Sequence, residues 1–143
     1  MTGVQTCALP IFPEDAPSRA AFDRLAAEFG PGPFAPIVLA IRTQGPATDP
    51  TNLDELYDYS RRLAADPRIE RVDSLVDVDP RLDVDQYALL YAASGGPPDR
   101  YTAEILNATT RGDLTAFTIF TPYAPNDATA RALVDIYGAS GLW

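Results

Sequence analysis

The stretch FGPGPFAPIVLAIRT, residues 29–43, decides the fold. It places two glycines and three prolines directly ahead of a continuous apolar run, Ile37, Val38, Leu39, Ala40 and Ile41. Such a run reads as a strand buried on both faces or central in its sheet. The strand is predicted over 36–43. Before it, Gly30 stops a helix, and Pro31 and Pro33 forbid a restart by removing amide donors. Gly30, Pro31, Gly32, Pro33 and Pro36 therefore form a rigid structural connector. They do not make a phosphate loop. A phosphate cradle needs free backbone N–H groups, and the prolines at 31, 33 and 36 supply none.

Toward the N-terminus, residues 18–29 carry Phe22, Leu25, Ala26 and Phe29 at helical spacing, with Ser18 as the expected N-cap. Toward the C-terminus, residues 44–50 are a loop. Asn52 and Glu55 then have the spacing of a capping box, and a helix is predicted from there to about Ala65. Leu53, Leu56, Ser60, Leu63 and Ala64 line one side of it. Residues 69–78 read as a second strand with broken alternation. Residues 79–111 read as a helical insertion. One short helix carries Val84, Tyr87, Leu90 and Tyr91, and a second carries Tyr101, Ile105 and Ala108. Residues 113–123 are a strong strand, with Phe117 and Ile119 on one face and Leu114, Ala116 and Phe120 on the other. Asn126 or Asp127 caps a last helix bearing Ala130, Leu133, Val134 and Tyr137, and Gly138 is expected to end it.

The order is helix, β, α, β, insertion, β, α. The fold class is α+β: an incomplete ferredoxin-like split βαβ unit, β-α-β-β-α, with a preceding helix and a small helical insertion. The final strand of the unit is missing, which leaves an open sheet edge, a liability in isolation. The domain is assigned to 12–143. Residues 1–11, MTGVQTCALPI, differ in composition from the rest and resemble translated sequencing-adapter sequence; they are read as an artefactual or disordered tail. Both ends are expected to be cuts in a longer protein.

Composition narrows the function. The 143 residues carry a formal net charge of -9, which opposes binding to a nucleic-acid backbone; no nucleic-acid partner is expected. There is no histidine, so the commonest base and the commonest metal ligand are both missing. The 11 basic residues are all arginines, which removes Ser–Lys chemistry as well. Cys7 is alone and cannot form an internal disulfide. Asp77, Asp79, Asp83 and Asp85 form an acidic cluster, but the spacing of an EF-hand calcium loop is absent, and they read as solvated or helix-capping aspartates. No catalytic, cofactor-binding or metal residue is assigned, no cofactor is expected, and the chain is not read as an enzyme. Tyr57, Tyr87, Tyr91 and Tyr101 remain as a candidate cargo or partner surface, because amphipathic rings can line a groove for an apolar ligand. The other reading of the same rings is that they half-bury against the sheet.

Four short elements occur together in order. Phe29, Gly30 and Gly32 lead to Pro36 and Ile37. Pro67, Ile69 and Val72 follow the second helix. Ala124, Pro125, Asp127 and Ala130 make the turn into the last helix. Over residues 12 to 140 the chain thus resembles an extracytoplasmic loop domain of the MMPL transporters, relatives of the resistance-nodulation-division exporters, and it looks more like the second such loop than the first. The resemblance implies a parent in the cell membrane, with this domain outside the cytoplasm. It implies that the domain packs with a second porter domain and with the parent's transmembrane helices. It further implies that the pair guides lipidic or other hydrophobic cargo, driven by the proton gradient. None of the proton-relay positions lies in this chain. A second reading is a soluble ferredoxin-like ligand-binding or scaffold module with no membrane parent.

Overall fold

A computed structural model describes residues 3–5, 17–92 and 99–139. In chain order the elements are β1 (Gly3–Gln5), α1 (Pro17–Phe29), a 3-10 turn (Gly32–Phe34), β2 (Ile37–Arg42), α2 (Pro50–Ala64), β3 (Arg71–Asp73), α3 (Val84–Ala92), α4 (Arg100–Thr109), β4 (Thr110–Arg111), β5 (Leu114–Phe120) and α5 (Ala128–Ala139). The architecture is α+β. β2, α2, β3, β5 and α5 form the ferredoxin-like β-α-β-β-α unit, and α3 and α4 form the helical insertion between β3 and β5.

The sheet runs β1–β2–β5–β3, with every pairing antiparallel. β5 is its centre. All of β2 pairs with it, from Ile37 opposite Ile119 to Arg42 opposite Leu114. Its other edge is shared by β3 at Thr118–Phe120 and by β4 at Leu114–Thr115. Burial alternates along both long strands, as the two-residue period of a strand requires. Ile37, Leu39, Ile41, Phe117 and Ile119 face the core, where they meet Leu53, Leu56, Leu63 and Leu133 from α2 and α5. Each fully buried leucine contributes roughly 1.5–3 kcal/mol.

Several local expectations change. α1 begins at Pro17, so Ser18 lies inside its first turn and is not its cap. α2 begins at Pro50 with Asp49 as N-cap, two residues before the predicted capping box. Proline suits that first position because its missing N–H has no intrahelical partner there. Asn52 is instead buried within the helix, and its side-chain amide donates to the carbonyls of Gln44 and Pro46, tying down the preceding loop. The second strand covers only Arg71–Asp73, because Ser74, Leu75 and Val76 turn inward to join the core. In α4 the inward face is turned by one residue. Asp99 caps the helix by accepting from the Thr102 N–H and hydroxyl, so Thr102 is buried and Tyr101 points to solvent. α5 continues through Gly138 to Ala139.

Gly3–Gln5 falls within the segment read as a tail. Its backbone lies antiparallel to β2, with Gly3 opposite Ala40 and Gln5 opposite Val38. The outer edge of β2 presents unpaired donors and acceptors, and any short extended segment nearby can satisfy them.

Candidate functional site

The connector is built around a close backbone approach. Gly30 takes φ +81° and ends α1 in the left-handed region that glycine enters without strain. Pro31 and Pro33 then shape the 3-10 turn, which is closed by the Ala35 N–H donating to the Gly32 carbonyl at 3.1 Å. Gly32 is buried against the chain just after β5. A Cβ on it would lie 1.5 Å from the Thr121 carbonyl oxygen. Phe34 meets Phe22 of α1 edge to face, with ring centroids 6.3 Å apart. Pro36 leads into β2. The connector thus anchors α1 to the end of the central strand through one glycine.

Beside the end of the connector lies a groove of about 400 Å³. It is lined by Pro36 and Ile37, by Thr121 and Pro125, and by Ala130 and Val134 of α5. Arg131 and Asp135, both exposed, also line it. The lining is mostly apolar, which suits an aliphatic or aromatic group better than a charged one.

Three of the four tyrosines come together and the fourth does not. Tyr57, Tyr87 and Tyr91 form a continuous row of rings with centroid spacings of 6.2 Å at both steps, tilted by 50° at the first and stacked at the second. Tyr87 is fully buried; its hydroxyl donates to the Asp79 carbonyl and accepts from the Asp79 N–H. The Tyr91 hydroxyl donates to the Leu75 carbonyl. Arg61 lies over the Tyr57 ring at 4.9 Å. Burial pushes the phenols of Tyr87 and Tyr91 above their usual range. The stack pins α3 onto α2. Tyr101 stands apart, 64% exposed.

The acidic cluster divides into separate tasks. Asp77 accepts from the Ser60 hydroxyl at 2.8 Å, from Ser74 at 2.5 Å and from the Arg61 guanidinium. Burial pushes its carboxyl up, outweighing the hydrogen bonds from Ser74 and Ser60 and the charge of Arg61, all of which act downward. Asp79 is held down to about 2 by its hydrogen bonds from Arg81. Asp83 caps α3 reciprocally with Gln86. Asp85 is exposed. Among the described residues, no three carboxylate or thiol side chains converge to hold a metal ion. The Asp77 arrangement was the part not foreseen from sequence; its trace there is Ser60, a polar residue on the otherwise apolar stripe of α2.

The second face of the sheet is the other open feature. Val38 and Ala40 of β2 and Leu114, Ala116, Thr118 and Phe120 of β5 share it, and all are only half-buried. Ion pairs mark its ends: Arg42 with Asp113, and Arg71 with Asp73. Arg71 also covers the Phe120 ring at 4.1 Å. Among the described residues, no helix is long and apolar enough to cross a membrane. No family model matches the chain, and neither a curated protein nor a solved structure matches it at a significant level.

Proposed function

We propose that the chain is an extracytoplasmic porter-type domain of a proton-driven exporter. In this reading it guides lipidic or other hydrophobic cargo and couples its own motion to membrane helices outside the chain. The observation that carries the reading is the one-sided sheet. The core-facing residues of β2 and β5 are sealed by α2 and α5, while Val38, Ala40, Ala116, Thr118 and Phe120 form an uncharged, half-buried face outside that core. A contiguous uncharged patch rimmed by ion pairs suits a surface that meets an apolar partner or cargo.

The connector supports the coupling half of the reading. Gly32 leaves no gap between the 3-10 turn and Thr121, so a displacement of α1 passes to the central strand and is not absorbed by a loose loop. The test uses the full-length parent. Ala116→Arg places a charge in the middle of the open face and is expected to lower export of a hydrophobic cargo at unchanged protein level. Replacing Pro31 and Pro33 with alanine is expected to lower export as well. Wild-type export by the Ala116→Arg protein would overturn the reading.

A further inference from the structure

Two opposite charges line one apolar groove and do not pair with each other. The groove of about 400 Å³ lies between the start of β2 and α5, with Pro36, Ile37, Pro125 and Val134 in its lining beside Arg131 and Asp135. Side chains four apart on a helix are neighbours, so an ion pair between these two is the ordinary expectation. None forms. Among the described residues, the Asp135 carboxylate has neither a hydrogen-bond nor an ion-pair partner. The Arg131 guanidinium instead turns back toward the start of α5 and donates to the Asn126 carbonyl at 2.5 Å. The order of the charges contributes, because a cation placed N-terminal to an anion at this spacing is the weaker arrangement. Asp127 feels the charge of Arg131, but its carboxylate accepts from the Thr129 N–H and makes no ion pair with the guanidinium.

The unused groups define a ligand. The apolar lining takes an aliphatic or aromatic body, and a few placed polar groups fix its orientation. Arg131 keeps guanidinium N–H groups for a carboxylate, a contact among the stronger hydrogen bonds. Asp135 accepts from an ammonium group. Their Cβ positions are about 5–6 Å apart on the helix, so the two head groups must be carried close together. A fatty acid or an alkyl amine satisfies one of the charges and sets its own charge against the other. The end of a peptide likewise carries only one. A free amino acid carries both on one carbon.

We propose that this groove is a binding site for a free apolar α-amino acid. Its carboxylate lies on Arg131, its ammonium on Asp135, and its side chain against Pro36, Ile37, Pro125 and Val134. Both charged side chains are exposed, so they meet the ligand without breaking a buried contact. The apolar body supplies most of the affinity. The two charge contacts are each worth little in solvent and supply the selectivity. The inference rests on the groove and not on the exporter reading.

The probe is L-phenylalanine, titrated into the isotope-labelled 143-residue chain and followed by amide chemical shifts. Saturable shifts are expected in 35–37, 121–125 and 130–135, with a dissociation constant of about 1 mM or lower. Phenethylamine lacks the carboxylate and phenylpropionate lacks the ammonium; each is expected to bind more weakly by a factor of about three or more. Glycine, with no side chain, is expected to give no saturable shift. These comparisons use the unaltered chain and depend on no variant folding. Asp135→Asn is then expected to abolish the preference over phenylpropionate, and Arg131→Gln the preference over phenethylamine, while the core amides of Leu39 and Phe117 keep their wild-type shifts. Three results would each overturn the proposal: no saturable shift with L-phenylalanine, equal affinity for all three aromatic compounds, or shifts confined to residues outside the groove.

Discussion

Gly32 shows how much one residue decides. Its missing side chain lets the connector lie directly on the Thr121 carbonyl, a contact that no other residue type allows. Gly32→Ala must therefore move backbone, at a cost of about 1–3 kcal/mol or more. Gly30→Ala meets open space and costs only the left-handed conformation, about 1–2 kcal/mol. Urea unfolding of the two variants is expected to rank Gly32→Ala as the more damaging. The need for glycines between α1 and β2 was readable from sequence. Which one carries the close approach was not, because Thr121 lies far along the chain.

Two aspartates pull the pH dependence in opposite directions. Asp66 receives two hydrogen bonds from the Arg68 guanidinium and one from the Tyr137 hydroxyl, and these hold its carboxyl far below the usual range. Its folded pKa is depressed, so its contribution to stability is present above the ordinary value of 3.8 and is lost as pH falls below it. Asp77 has a raised folded pKa, so its contribution is present below 3.8 and is lost as pH rises through the folded value. Thermal melts are expected to show Asp66→Asn flattening the acid-side loss. Asp77→Asn should improve relative to wild type as pH rises above 3.8 toward neutrality. A Tm difference for Asp77→Asn that stays constant across that range would contradict the assignment.

At the scale of elements, α1 is the exception. It has no buried residue, Phe29 is 69% exposed, and its contact is with the 3-10 turn. α2 buries six side chains. Hydrogen exchange is therefore expected to be fast in α1 and slow in α2 and β5. Leu53→Ala is expected to cost about 2–5 kcal/mol, and Leu25→Ala close to nothing. Most elements were legible because each strand and helix has its own hydrophobic period: β5 alternates cleanly, and α5 repeats Ala130, Leu133 and Val134. β3 is shorter than the strand its sequence predicts because the core takes up Leu75 and Val76 from a turn, and apolar content alone does not distinguish a turn that folds inward from a strand. The tyrosine stack was half legible. Tyr87 and Tyr91 share one helix face by their spacing, but the contact of Tyr87 with Tyr57 depends on how α3 crosses α2, which no local pattern records.

For the whole molecule, the central fact is a sheet sealed on one face and, among the described residues, only half-buried on the other. The alternation that divides Phe117 from Ala116 was visible in the sequence. That the second face would lie outside the core of the described residues was not, because the insertion helices could have folded over either side. On the isolated chain, Ala116→Arg is expected to cost about 1 kcal/mol, less than a core truncation such as Leu53→Ala, since Ala116 is half-buried and outside the core. A large loss would mean the face is part of the core and not a surface. The most direct test of the central claim is to read the gene outward from both ends of the chain. The account predicts segments of about 20 consecutive apolar residues on the flanks, long enough to cross a membrane. Polar linkers or stop codons in their place would contradict it and leave a free-standing ferredoxin-like module.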